Sequence, residues 1–205
     1  MSIIDKALGA STPPESDEKR AEATRKARQL TQGKDWLAMA LDHHEQIRAA
    51  FQACLSAQEG MDRVKAMKQL ALVLNGHSLA EEVVLYPAMA KSGEKGHAGM
   101  AYTEQTTAKM QMAELERIDP STPDWTAKVE HIRGAVLHHM YEEENSWFPE
   151  LKQDYDDQTF LTRRYHEEFQ RYAGGADGSG ARETAPSQSE PRSFAPEEGQ
   201  ARPLA

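Results

Sequence analysis

Two stretches of this 205-residue chain carry the same chemistry at the same spacing. The run from His77 to Pro87 recurs as the run from His139 to Pro149. In register, His77 matches His139, Glu81 matches Glu143, Glu82 matches Glu144, Tyr86 matches Phe148 and Pro87 matches Pro149. Residues four apart on a helix lie one turn above each other on one face, so each copy offers an imidazole beside a carboxylate. Apolar residues continue both faces: Leu70, Val73, Leu74, Val84 and Ala88 around the first pair, and Val129, Ile132 and Val136 around the second. A charge buried without a partner is heavily penalised, so two such faces should meet across a shared cation. The pattern predicts a metal site inside a helical bundle.

The remaining sequence supplies the partner helices. Val, Ile and Thr never form period-2 runs, and the dominant Ala, Leu, Met, Glu, Lys, Gln and Arg favour helix. A first long helix is expected from Asp35, as its N-cap, to about Gln58, with Trp36, Ala40, Ile47, Phe51 and Cys54 as its buried face. A second should run from Asp62 to Ala90 and stop at Ser92-Gly93, and a third from His97 to Ile118. The fourth opens at Ser121-Thr122-Pro123-Asp124 and continues to Pro149 or just past it. Four long helices on short links predict an all-α antiparallel four-helix bundle over residues 34–173. Gln158 to Tyr172 reads as an extra helix capping it. Residues 1–33 read as a partly helical polar extension, irregular at Ser11–Pro14, with Asp17–Leu30 as a solvated helix packed loosely on the domain. Residues 174–205 are Gly, Ser, Pro, Glu and Arg with almost no large apolar side chains, which predicts a disordered tail.

Helical phase chooses between neighbouring candidates. His139 and Glu143 share the Val129/Ile132/Val136 stripe, whereas His138 and Glu142 lie about 100° away and read as flank. On the second helix the same test keeps His77 and Glu81 and leaves Glu82, like Glu144, as an outer acceptor or salt-bridge partner. The first helix offers His44, nearer its stripe, with His43 as the alternative. On the third, Glu104 is preferred on phase and as a carboxylate ligand, with Gln105 and His97 as alternatives. The predicted ligands are therefore His44, His77, Glu81, Glu104, His139 and Glu143. His131, His166, Met100, Met110 and Met112 read as surface or packing residues.

Charge and composition narrow the function. A net charge of −9 opposes nucleic-acid binding, which needs a basic surface. No apolar run approaches membrane-spanning length, and the first residues lack a signal-peptide pattern. The single Cys54 excludes an intrachain disulfide, suits a reducing cytoplasm and reads as a buried inert thiol.

From about Lys34 to Leu151 the chain resembles the hemerythrin-like proteins with the HHE cation-binding domain. The carriers are Asp42-His43-His44-Glu45, His77-x-x-x-Glu81-Glu82 with Tyr86-Pro87, and His139-x-x-x-Glu143-Glu144 with Phe148-Pro149. The resemblance implies an antiparallel four-helix bundle holding two iron ions bridged by an oxo or hydroxo group, with manganese or zinc as alternatives. Glu81 and Glu143 match its bridging carboxylates, and His44, His77 and His139 its terminal imidazoles. The family usually supplies histidine from the third helix, where this chain has Tyr102-Thr103-Glu104-Gln105. A harder, more anionic ligand set favours the oxidised metal. The implied partners are dioxygen, peroxide or nitric oxide, handled by an oxidase- or peroxidase-like reaction rather than reversible carriage. A metal sensor or store without turnover is the other expectation.

Overall fold

A computed structural model describes residues 15–58 and 60–174, and every regular element among them is helical. In chain order these are α1 Asp17–Gln29, α2 Trp36–Ser56, α3 Gly60–Ala80, α4 Tyr86–Lys91, α5 Lys95–Leu115, α6 Pro123–Glu142, α7 Phe148–Asp154 and α8 Gln158–Ala173. None of them is long and apolar enough to cross a membrane. Apart from Gly174, the tail lies outside the described residues, as does the Ser11–Pro14 breaker.

Asp35 caps α2 as its position suggests, accepting from the Ala38 amide at 2.9 Å. Pro123 stands in the first turn of α6, where its missing N–H costs nothing. Gly93 takes φ 111° at the turn into α5, a conformation that side chains with a Cβ rarely adopt.

The second and fourth long helices are not continuous α-helices, as the apolar periodicity alone suggests. Each widens into one π-helical turn, Glu81–Leu85 and Glu143–Trp147, before resuming as α4 and α7. The cause is the proline that closes each copy of the repeat. Pro87 and Pro149 have no N–H and would clash with the carbonyl four residues back, and a wider turn relieves both problems. The Tyr86 amide accordingly donates to Glu81 O, and the Phe148 amide to Glu143 O. In that pattern Pro87 would next serve Glu82 O but cannot, and the Tyr102 hydroxyl donates to that carbonyl instead at 2.5 Å. Residues five apart stand about 140° from each other on an α-helix. The π closure brings Tyr86 back over Glu81.

Two apolar clusters hold the helices together. One gathers Trp36, Leu37, Leu41, Ala80, Leu85, Tyr86, Ala101, Trp147, Phe148, Leu161 and Tyr165. The other gathers Ile47, Phe51, Cys54, Leu70, Leu74, Met112, Leu115, Trp125, Val129, Ile132, Val136 and Met140. Chain order passes from the first cluster to the second along α2 and α5, and back again along α3 and along α6 with the π-turn and α7 that follow it. A buried polar layer lies between them, at His43–His44, His77–Ser78, Gln105 and His139–Glu143. Each fully buried Leu, Ile or Phe contributes roughly 1.5–3 kcal/mol, so the apolar layers clamp the polar one.

The terminal helices pack more closely than their polar sequences suggest. Helix α1 buries Ala23 and Ala27 and packs on the second π-turn, so it is not loosely attached. Helix α8 lies along α2 and α3 rather than over an end. Gly76 makes room for it, since a Cβ there would stand 3.3 Å from the Phe169 ring.

Candidate metal centre

The polar layer draws one donor atom from each of four side chains to a single point. His44, His77, Glu81 and Glu143 are all buried, and their ligand atoms lie within 4.8 Å of one another. Those atoms are His44 Nε2, His77 Nε2, Glu81 Oε1 and Glu143 Oε2, and none has a hydrogen-bond partner. His77 Nε2 stands 3.1 Å from Glu81 Oε1, and His44 Nε2 stands 3.3 Å from Glu143 Oε2. Buried polar atoms are almost always paired, and four orphans facing one point are what a cation would satisfy. Two imidazoles and two carboxylates suit a divalent or trivalent metal of borderline hardness.

The far side of each imidazole is anchored. His44 Nδ1 lies 2.7 Å from Glu144 Oε1, and Glu144 is held in turn by Arg48 at 2.7 Å and by the Thr24 hydroxyl from α1. His77 Nδ1 lies 3.1 Å from the Tyr165 hydroxyl. Such outer partners fix which ring nitrogen carries the proton and leave the other free for a metal.

The opposite oxygens of the two carboxylates face a second cluster. Tyr86 reaches Glu143 Oε1 at 2.9 Å and Glu81 Oε2 at 3.2 Å with its hydroxyl, which also lies 3.1 Å from His139 Nε2. Gln105 Nε2 donates to Glu81 Oε2 at 2.6 Å and to the Tyr86 hydroxyl at 2.8 Å. His139 Nε2 stands 3.2 Å from Glu143 Oε1, while its Nδ1 meets Glu104 Oε2 at 2.8 Å.

Of the six residues predicted as ligands, the structure brings His44, His77, Glu81 and Glu143 to one point and His139 beside it. Glu104 is not among them. It lies behind His139, half-buried, and the residue facing the carboxylates is Gln105. The buried face of α5 is Ala98, Ala101, Gln105, Met112 and Leu115, which puts Gln105 near its middle and Glu104 at its edge. On α5 the small alanines Ala98 and Ala101 define the helical phase poorly. His43 is buried but turned aside, stacked on Phe169 with ring centroids 3.7 Å apart. His97 pairs with Glu94 at 3.0 Å near the start of α5, away from the four-residue cluster. His138 pairs with Glu15 at 2.9 Å, and Glu82 pairs with Lys109 at 2.6 Å. Burial lifts the Cys54 thiol to about 11, as befits an inert core residue.

Spacing alone does not mark Tyr86 or Tyr165 as a site residue. Tyr86 had one signal, the proline after it, which produces the turn that carries it inward.

Electrostatics divide the two carboxylates. Burial, reinforced by the neighbouring Glu143, raises the Glu81 carboxyl well above its ordinary range. Burial works the same way on Glu143, but the adjacent His139 and His44 outweigh it and hold Glu143 low. The raised group favours its proton in the metal-free fold. Its stabilising effect is complete below the ordinary Glu pKa of about 4.3 and is lost as pH rises through the raised value. A cation must displace that proton, so apparent affinity should climb with pH across the same window. Calorimetric titration in two buffers of different ionisation enthalpy reads the protons released; a heat independent of buffer would refute the assignment.

The family model for the hemerythrin HHE cation binding domain matches residues 37–151. A DNA nickase of Nostoc sp. (strain PCC 7120 / SAG 25.82 / UTEX 2576) is 25% identical over 164 residues, covering 74% of this chain and 46% of the nickase. The chain thus spans just under half the length of that relative. No solved structure matches it.

Proposed function

The chain belongs to the hemerythrin HHE cation-binding domain family, and we propose that its polar layer holds two iron ions and reacts with dioxygen, peroxide or nitric oxide. The observation that carries the metal reading is the convergence of His44 Nε2, His77 Nε2, Glu81 Oε1 and Glu143 Oε2, all buried and unpartnered. These four would hold one ion, and His139 Nε2 with the second oxygens of Glu81 and Glu143 would hold another. The alternating course of α2, α3, α5 and α6 through the two apolar clusters supports an antiparallel four-helix bundle around them.

When bound, iron supplies the redox chemistry. The chain's own residues orient and insulate. Glu144 and Glu104 fix the outer nitrogens of His44 and His139, Gln105 donates to Glu81, and the Tyr86 hydroxyl bonds to both carboxylates. The aromatic wall of Phe148, stacked 6.0 Å from His44, and Trp147, 5.8 Å from His139, keeps bulk water out. On α5 the residue facing the carboxylates is Gln105, while His97 pairs with Glu94, and this smaller set of imidazoles supports oxidation over reversible carriage. A reducing cytoplasm is the compartment in keeping with one buried thiol. The activity named for the Nostoc relative is not carried over, because a net charge of −9 opposes approach to DNA.

Metal content with a visible spectrum, on protein purified without chelator, tests the reading. Two irons per chain with near-ultraviolet oxo-to-iron absorption is the expected result. A folded protein that neither retains nor takes up metal would sink it.

A further inference from the structure

Helix α8 lies beyond the family match, which ends at residue 151, yet it reaches the polar layer. It is tied to the start of α2, where Trp36 Nε1 donates to Gln158 Oε1 at 2.6 Å and the Trp36 amide to Thr162 Oγ1 at 3.2 Å. That docking carries the fully buried Tyr165 inward, with its hydroxyl 3.1 Å from His77 Nδ1 and 3.0 Å from His43 Nδ1. A hydroxyl between two ring nitrogens can accept from one and donate to the other. His77 Nε2 is buried, without a hydrogen bond, and faces Glu81 Oε1 at 3.1 Å. Its lone pair is free for a cation only if the ring proton sits on Nδ1. The directions follow: His77 Nδ1–H donates to the Tyr165 oxygen, and Tyr165 O–H donates to His43 Nδ1.

We propose that Tyr165 is a positioning residue of the metal centre, holding His77 in the tautomer and ring orientation that present Nε2 to the ion. The inference rests on His77 being a ligand, as in the function proposed above. The comparison with the other histidines shows why a phenol stands here. His44 and His139 rest their outer nitrogens on the carboxylates of Glu144 and Glu104. Glu81, Glu143 and Glu144 are already buried in this layer, and a carboxylate at position 165 would add another buried anion. The neutral hydroxyl performs the same orienting task without charge. His43 completes the arrangement as the acceptor that fixes the hydroxyl, which explains a buried histidine lying outside the four-atom cluster.

The test uses the full chain loaded with cobalt(II), with affinity read by competition against a chelator and proton NMR reading the exchangeable Nδ1–H of bound histidines. Losing an outer partner of a metal-bound histidine typically weakens affinity 10–100-fold. Tyr165→Phe should show a loss of that order, with unchanged helix content and faster solvent exchange of one histidine N–H, the one absent in His77→Ala. Phe169→Leu loosens the α8 packing on His43 but keeps the hydroxyl, and should bind cobalt as wild type does. Wild-type affinity and exchange in Tyr165→Phe would overturn the proposal, as would an equal loss in Phe169→Leu, which would make the role one of packing. Failure of the wild-type chain to bind any metal would instead remove the parent reading, and this inference with it.

Discussion

Glu143→Gln should strip the centre of metal, to below roughly a tenth of wild-type content, while leaving the fold in place. Loss of an outer partner costs a metal site 10–100-fold in affinity, and loss of a residue proposed as a ligand should cost more. Glu143, like Glu81, touches both halves of the layer: Oε2 faces His44 Nε2 at 3.3 Å, and Oε1 meets His139 Nε2 at 3.2 Å and Tyr86 at 2.9 Å. The amide keeps the volume, so the apolar layers stay packed, but it is a far poorer ligand for a hard cation. His138→Ala is the companion variant, because its ring is paired with Glu15 on the outer side of α6. It should bind metal normally. Metal analysis of the two purified variants decides the matter, and a reversed outcome would mean that α6 presents its other face.

Removing the metal should lower the melting temperature sharply. A cation free at 1,000 times its dissociation constant adds about 4.1 kcal/mol to folded-state stability. For a domain of this size each kcal/mol moves the midpoint by roughly 2–4 °C, so chelation should lower it by about 8–16 °C. The buried histidines and glutamates make the loss more certain, since without the ion their facing atoms have no hydrogen-bond partner. Differential scanning calorimetry before and after chelation, with metal content measured on both samples, reads the difference. Equal midpoints would show that folding does not draw on the ion.

The pairs His77–Glu81 and His139–Glu143 were legible because helical periodicity fixes which residues stack, and long apolar stripes fixed the phase. Where the stripe was made of alanines, on α5, phase failed and Gln105 took the place expected for Glu104. The π-turns escaped notice because a phase argument assumes about 100° per residue throughout. Tyr86 was lost with them. Tyr165 comes from a helix whose own pattern says that it packs, but not against what. Small residues mislead in the same way: α1 reads as solvated, yet Ala23 and Ala27 bury it against the second π-turn.

Between the two copies of the repeat, one substitution matters beyond packing. Phe148 in the second copy only stacks, whereas Tyr86 in the first puts a hydroxyl among Glu81, Glu143 and His139. The facing atoms of the His44, His77, Glu81 and Glu143 cluster have no hydrogen-bond partner, whereas the opposite carboxylate oxygens and His139 Nε2 already lie within hydrogen-bond distance of that hydroxyl. A perfect duplication would fill both halves at one metal concentration. This chain should instead load in sequence, with a half-filled species as the resting form whenever metal is scarce.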